Sequence, residues 1–337
     1  MEMPTTYDKP FKSYEELIAI LESRHIIVDN KDFAMRALEN FSYYGIINGY
    51  KNTFIQLPDS DNFIPGTKFE ELYTLHIVDT ALNNIIFKYI LFLEKALKSR
   101  ISYLVSEKYG VFTDYEDMSC MNPNDYLHTR HYSNSTGRRR NILRRLKENI
   151  SETGRNPSMV HYLNHHNHVP AWILTTNISY GLTIEWYNLL KSNDKQAICD
   201  TFISPGLCTA EKTKEFVHKA FDITKEYRNK IAHGNRTFSI ISLPQLPKEQ
   251  VLAFTFNSIS ETEYNNRMGQ NDTMAVLLAL MVMLCDPYII TNLHTELTAA
   301  LSPYKNVLFN NKTIFEVFGF PDNLFERLDT FFKRKFL

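Results

Sequence analysis

Four cysteines in 337 residues, Cys120, Cys199, Cys208 and Cys285, are too few and too scattered for a disulfide framework, and no two form a C-x-x-C pair. That usage excludes a zinc knuckle and fits a reducing compartment. Glycine (11) and proline (13) are scarce and no Ser/Gly-rich run occurs, which excludes a collagen-like chain and a long flexible linker. Charge of one sign is also missing: 37 Lys and Arg face 38 Asp and Glu, so any polyanion site must be local. No apolar run is long enough to span a bilayer. The longest, Met274 to Leu284, follows the helix-capping residues Asn271 and Asp272 and reads as a buried helix. The first residues, MEMPTTYDKPFKSYEE, carry neither the basic nor the apolar region of a signal peptide, so a soluble, cytoplasmic protein with no membrane partner is expected.

What is present is ordinary globular composition, 44% apolar and 13% aromatic, with helical periodicity almost throughout. Ser13 and Glu16 make a capping box ahead of Leu17, Ile20 and Leu21. A second helix is expected from Asp32, with Phe33, Ala37, Leu38 and Phe41 inward and a break at Gly45. Pro58 to Gly66 reads as a loop. From Phe69 to Tyr109 the spacing of Leu72, Leu75, Ile86, Tyr89, Ile90, Leu93, Leu97, Ile101 and Leu104 predicts one or two long helices, closed by Gly110. Further helices are expected over Pro170 to Leu190, Thr209 to His233, Thr273 to Leu284 and Asn323 to Phe336. Phe238 to Ser242 and Val251 to Phe256 can pair as a small β-hairpin. The expected fold is mainly α, a helical bundle in four parts: an N-terminal half (9–120), a basic helical or loop insertion (121–169), a motif-bearing segment (170–236) and a C-terminal extension (237–337).

One short segment carries chemistry: Tyr227-Arg228-Asn229-Lys230-Ile231-Ala232-His233-Gly234. Asn229 and His233, four apart, share a helix face. Arg228 and His233, five apart, point roughly 140° apart and meet only if the arginine swings round or the helix loosens before Gly234. An imidazole can exchange a proton with a ribose 2′-hydroxyl or a leaving 5′-oxygen. A guanidinium presents a fork to phosphate oxygens, and an amide one turn from the histidine can fix its tautomer. Such a route needs neither metal nor cofactor. Alone, the pattern reads more simply as a helix-end Arg and His making structural hydrogen bonds.

Resemblance over most of the chain favours the chemical reading. KPFKSYEELIAILESRHIIV (9–28) and SYYGIINGYKNTF (42–54) resemble the opening of the Abi-like abortive-infection family, AbiD/AbiF type. Glu71 to Gly110 is similar to its long helix, with Glu94 and Arg100 in the acidic-then-basic pattern. Val169 to Leu190 resembles its Pro-x-Trp segment, and Glu226 to Arg236 its Arg-Asn-x-x-x-His signature. The resemblance implies a HEPN-like bundle, an RNase whose motif acts across a paired interface, and in some members a structured non-coding RNA that restrains the toxin. It makes Arg228, Asn229 and His233 the candidate catalytic residues, with Glu94 and Arg100 as supporting candidates. The implied function is a metal-independent endoribonuclease of an abortive-infection or toxin–antitoxin system. The alternatives are a non-catalytic protein that grips a structured RNA and a structural partner of another enzyme. Because in-line cleavage uses an acid and a base while each copy of the motif supplies one histidine, a homodimer is expected.

Arg130, Arg138, Arg139, Arg140, Arg144, Arg145, Lys147 and Arg155 crowd the insertion, and Arg236 follows the motif. This cluster is the expected RNA contact, with Tyr126, Tyr132 and Tyr162 placed to stack on unpaired bases. A solvated basic face balanced elsewhere is the other reading. His161 and His165, four apart and near His166 and His168, have no Cys or close carboxylate to complete a metal site, so none is expected. Trp172, Trp186 and the aromatic run from Phe41 to Phe54 read as core.

Overall fold

The computed structural model describes residues 9–57, 60–151, 156–234, 236 and 243–337. They form a mainly helical fold that divides into two compact units, residues 1–85, 236–239 and 295–324 in one and 86–235, 240–294 and 325–337 in the other.

In the first unit, α1 (Tyr14–Ser23) begins at the expected capping box, with the Ser13 and Glu16 side chains each bonding the other's backbone N–H. It packs on α2 (Lys31–Phe41), which buries Ala34, Ala37 and Leu38. This helix ends three residues earlier than the sequence predicts. Ser42 takes a φ of 60°, its hydroxyl accepts from Gly45 N–H, and a π-helical turn, Tyr44–Asn48, carries the chain through Gly45. Phe41 is therefore 37% exposed rather than inward, and Tyr44 is 70% exposed, whereas Tyr50 and Phe54 are core. One 41-residue helix, α3 (Phe69–Tyr109), answers the longest periodic stretch, and Gly110 leaves it at a φ of +83°.

The second unit holds the remainder of α3 and the helices α4 (Arg139–Ser151), α5 (Pro157–His165), α6 (Ala171–Asn177), α7 (Tyr180–Leu189), α8 (Ser192–Phe202) and α9 (Ala210–Ala232). The segment read as one helix from Pro170 is two, because Ser179 breaks out in an extended conformation and caps Leu182 N–H. After α9 come α10 (Lys248–Phe254), α11 (Glu261–Asn265) and α12 (Thr273–Met283). Every residue of α12 is buried, as its all-round apolar sequence requires, and it packs on α9. A helix sealed in a core must satisfy its terminal amides and carbonyls internally. Asp272 accepts from Ala275 N–H (2.8 Å) at one end, and at the other Lys335 Nζ donates to Met281 O, Val282 O and Leu284 O.

The helix α13 (Pro287–Leu301) precedes the small hairpin of the fold, which is built from β1 (Leu308–Phe309) and β2 (Lys312–Thr313) rather than from the predicted runs. Asn310 and Asn311 both have positive φ, the geometry a two-residue hairpin turn demands. Of the predicted pair, Phe238 to Ser242 lies outside the described residues. Val251 to Phe254 is helical because Val251 and Phe254, three apart, bury one face. Short α14 (Ile314–Phe318) and terminal α15 (Leu324–Phe336) complete the chain.

Candidate functional site

The motif occupies the end of α9. Thr213, Phe216, Val217, Ala220, Phe221, Thr224 and Tyr227 recur at helical spacing and bury one face, so the residues just past Tyr227 fall on the flank and outer side of the last turn. Arg228 and Asn229 are half-buried and His233 is exposed. His233 forms the C-cap, its N–H reaching Asn229 O and Lys230 O at 3.2 Å. Gly234, at a φ of +79°, turns the chain out of the helix with its N–H on Ile231 O.

Within this turn the Arg228 guanidinium lies 5.9 Å from the Phe87 ring and donates to Asn229 Oδ1 at 3.4 Å. Its Nε is buried with no hydrogen-bond partner among the described residues. Asn229 thus sits against the arginine, and neither Arg228 nor Asn229 bonds the His233 ring. No hydrogen bond or ion pair among the described residues joins Glu94 or Arg100 to Arg228, Asn229 or His233. Glu94, 8% exposed, pairs with Lys98 at 2.8 Å and leaves Oε2 without a partner among the described residues. The Arg100 guanidinium stacks 3.6 Å over the Phe202 ring.

The basic segment is far less uniform than its composition. Lys147 is wholly buried: its ammonium is paired with Asp125, itself 0% exposed, and donates to Asp114 O (2.7 Å) and Asp117 O (2.8 Å). It is a structural cation and is removed from the RNA-contact set. Arg139 donates to Tyr132 O at 3.0 Å, and Arg145 pairs with Glu185. Arg130 is exposed but donates to Pro123 O. Arg138, Arg140 and Arg144 remain exposed, and among the described residues their one ion pair is the 3.3 Å surface contact between Arg144 and Glu148. Arg155 lies outside the described residues. Arg236 is not an open cation: in the first unit it donates to Tyr44 O (3.1 Å) and Gly45 O (3.2 Å) and lies 5.5 Å from the Tyr50 ring.

Tyr126 and Tyr132 are corrected as stacking platforms. Both are buried, the first donating to Val169 O, the second to Tyr126 O while accepting from Trp186 Nε1. Burial raises both phenols far above their ordinary pKa. Tyr162 is half-buried, its ring 4.5 Å from that of His166. Trp186 is core, but Trp172 is 44% exposed. Among the described residues no group of three His, Cys, Asp or Glu side chains is placed to hold a metal ion, although the His161 and His165 rings lie 4.8 Å apart. No helix among them is long and apolar enough to cross a membrane.

Two features were invisible in the sequence. Phe87, beneath Arg228, is one aromatic among many on a long helix. Met118 and Met121, beside Arg140 and Arg144 in a groove of about 340 Å³, sit in a loop with no periodicity to read.

No curated protein and no solved structure matches the chain. A family model described as Abi-like protein matches residues 36–239, more than half of the chain and the whole of the motif helix. The chain therefore belongs to the Abi-like protein family, which ties it to abortive infection as a defence against phage.

Proposed function

We propose that the chain is an endoribonuclease of HEPN type whose site is assembled from Arg228, Asn229 and His233. A base removes the 2′-hydroxyl proton, the 2′-oxygen forms a bond to phosphorus, and the bond from phosphorus to the 5′-oxygen breaks as that oxygen takes a proton from an acid. The products are a 2′,3′-cyclic phosphate and a 5′-hydroxyl, and every step is proton transfer or charge stabilisation by side chains. His233 serves as acid or base, Arg228 holds the phosphate oxygens, and Asn229 orients Arg228. Base and acid both being needed, two chains pair so that two copies of His233 serve one cleft. The target is cellular or phage RNA in the cytoplasm, and a structured non-coding RNA bound to the same protein restrains it.

The observation that carries this reading is that both reactive groups are unspent. Among the described residues the exposed His233 ring has no hydrogen-bond partner and Arg228 has no carboxylate partner. The second reading, an RNA-binding protein without catalysis, is favoured by one fact: no hydrogen bond joins Arg228 or Asn229 to the His233 ring. Wild type and His233→Ala, compared on a labelled RNA, separate the two. His233-dependent cleavage with cyclic phosphate ends, and a dimer by light scattering at micromolar concentration, is the expected result. Equal RNA decay in both proteins, or a monomer with and without RNA, overturns the composite site.

A further inference from the structure

The loop from Asp114 to Asn122 packs beside α4 in the second unit, and buried groups hold it there. Lys147 draws in the carbonyls of Asp114 and Asp117. Asp117 in turn accepts from Ser119, Met121 and Asn122 N–H and from the Ser119 hydroxyl. Those donors hold its carboxyl down at about 2, so its charge is engaged within the loop. Between loop and helix runs the groove of about 340 Å³, lined by Met118, Ser119, Met121, Arg140, Asn141 and Arg144. No carboxylate is among its described lining residues. Met118 and Met121 are 39% and 51% exposed, and the Met121 sulfur, which accepts from Thr129 Oγ1 at 3.4 Å, keeps its outer side apolar and open. Arg140 and Arg144, one helical turn apart, share a face. Arg140 makes no hydrogen bond or ion pair with any described residue, and Arg144 has only its exposed pair with Glu148, 56% and 43% solvent-accessible, a contact that exchanges readily.

We propose that this groove binds single-stranded RNA, Arg140 and Arg144 taking two backbone phosphates and the Met118 and Met121 thioethers lying against unpaired bases. The proposal rests on RNA being the ligand of the protein and adds a binding surface distinct from the Arg228–His233 helix end. Two guanidiniums, with no carboxylate among the described lining residues and only the exposed Glu148 beside Arg144, supply the charge complementarity. Methionine sulfur packs favourably on aromatic rings without selecting among them. A duplex keeps its base faces stacked away, so the methionines can contribute only to a single strand. An acidic protein segment would satisfy the arginines but leave the methionines without aromatic partners.

The test uses the full-length His233→Ala protein, so that binding is read without cleavage, and a short fluorescein-labelled oligouridylate followed by anisotropy across a salt series. Introducing Arg140→Gln and Arg144→Gln together is expected to weaken binding about tenfold and flatten the logarithmic salt slope by about 1.4, the loss of two single-strand phosphate contacts. Met118→Ala with Met121→Ala is expected to weaken binding severalfold at unchanged slope, and only for the single strand. Circular dichroism of each variant controls for folding. An unchanged slope in the arginine variant, equal methionine effects on an RNA duplex, or competition by oligoglutamate as effective as by unlabelled RNA overturns the assignment. So does failure of the oligouridylate to bind. An unchanged slope alongside His233-dependent cleavage by wild type sinks the groove and spares the nuclease reading. A flattened slope with no cleavage does the reverse.

Discussion

Lys147→Met is the sharpest probe of how the basic segment is built. The substitution keeps an unbranched side chain one atom shorter and removes its charge, leaving the Asp125 carboxylate at 0% exposure. That carboxylate would retain Thr113 Oγ1 (3.1 Å), Leu127 N–H (2.6 Å) and Asp114 N–H (3.3 Å), donors that are all neutral. Breaking a buried ion pair by removing one partner costs about 3–5 kcal/mol. At about 2–4 °C per kcal/mol for a unit of this size, the melting transition falls by roughly 10 °C. Replacing both partners together, Lys147→Met with Asp125→Leu, is expected to recover part of the loss, because no unpaired charge then remains. Differential scanning calorimetry and urea titration read both effects. Arg140→Gln serves as the surface control and is expected to shift the transition by less than about 0.5 kcal/mol. Lys147→Met with unaltered stability would refute the reasoning, because the ammonium could then not be sealed against Asp125. The same variant is also expected to weaken oligouridylate binding although Lys147 never meets solvent, since its ammonium fixes the loop that walls the groove.

Gly49→Ala is a second test, local to the first unit. A Cβ there would fall 2.0 Å from Arg236 Nε and 2.3 Å from its Cζ, so the guanidinium must leave the carbonyls of Tyr44 and Gly45, at about 1–3 kcal/mol. Adding Arg236→Ala should make the alanine at 49 nearly neutral, and hydrogen exchange over residues 44–48 reports whether the π-helical turn loosens. A third concerns acid. Arg327 grips Glu263 through Nη1–Oε2 (2.9 Å) and Nη2–Oε1 (2.7 Å), holding the Glu263 carboxyl at about 2 against an unfolded value of 4.5. A depressed carboxyl stabilises the fold fully above the unfolded value, and that stabilisation is lost as pH falls towards 2. The deficit of Arg327→Gln relative to wild type, about 1.5–3 kcal/mol at pH 7, should therefore shrink between pH 4.5 and 2 in urea titrations. A deficit independent of pH would place the effect in packing.

Helices were legible wherever one face had to be buried over many residues. The 41-residue α3 follows from nine apolar positions in register, and α9 from its stripe ending at Tyr227 and its glycine stop. Boundaries failed where a local hydroxyl competed with the helix: Ser42 ends α2 by accepting from Gly45 N–H, and Ser179 splits the segment after Pro170. The hairpin was misplaced because β-branched and aromatic residues pull equally towards a strand and a buried helix face. The Asn310–Asn311 turn was the better signal. Charge was the least legible property. Eight cations in one stretch read as one patch, yet Lys147 is paired with Asp125, Arg145 with Glu185, and Arg139 is tied to a backbone carbonyl. Those partners lie from seven to forty residues away, and no count along the sequence pairs them.

The motif itself can be weighed against its plainer reading. A structural Arg at a helix end is held by carboxylates or by several carbonyls, as Arg236 and Arg327 are here. Among the described residues Arg228 has a single 3.4 Å bond, to the neighbouring amide, and a buried Nε without a partner. Leaving such a donor unsatisfied costs about 1–3 kcal/mol, more when the group is charged, and an anionic oxygen would recover it. His233, three residues before the anchored Arg236, is exposed, and its ring bonds no described residue. A purely structural pair would stabilise the chain, and Arg228→Ala would then lower its melting point. If the arginine is kept for phosphate, the same substitution leaves the unliganded protein as stable or more so, and removes its thermal stabilisation by bound RNA. A clear loss of stability in the free Arg228→Ala protein would return the motif to the scaffold.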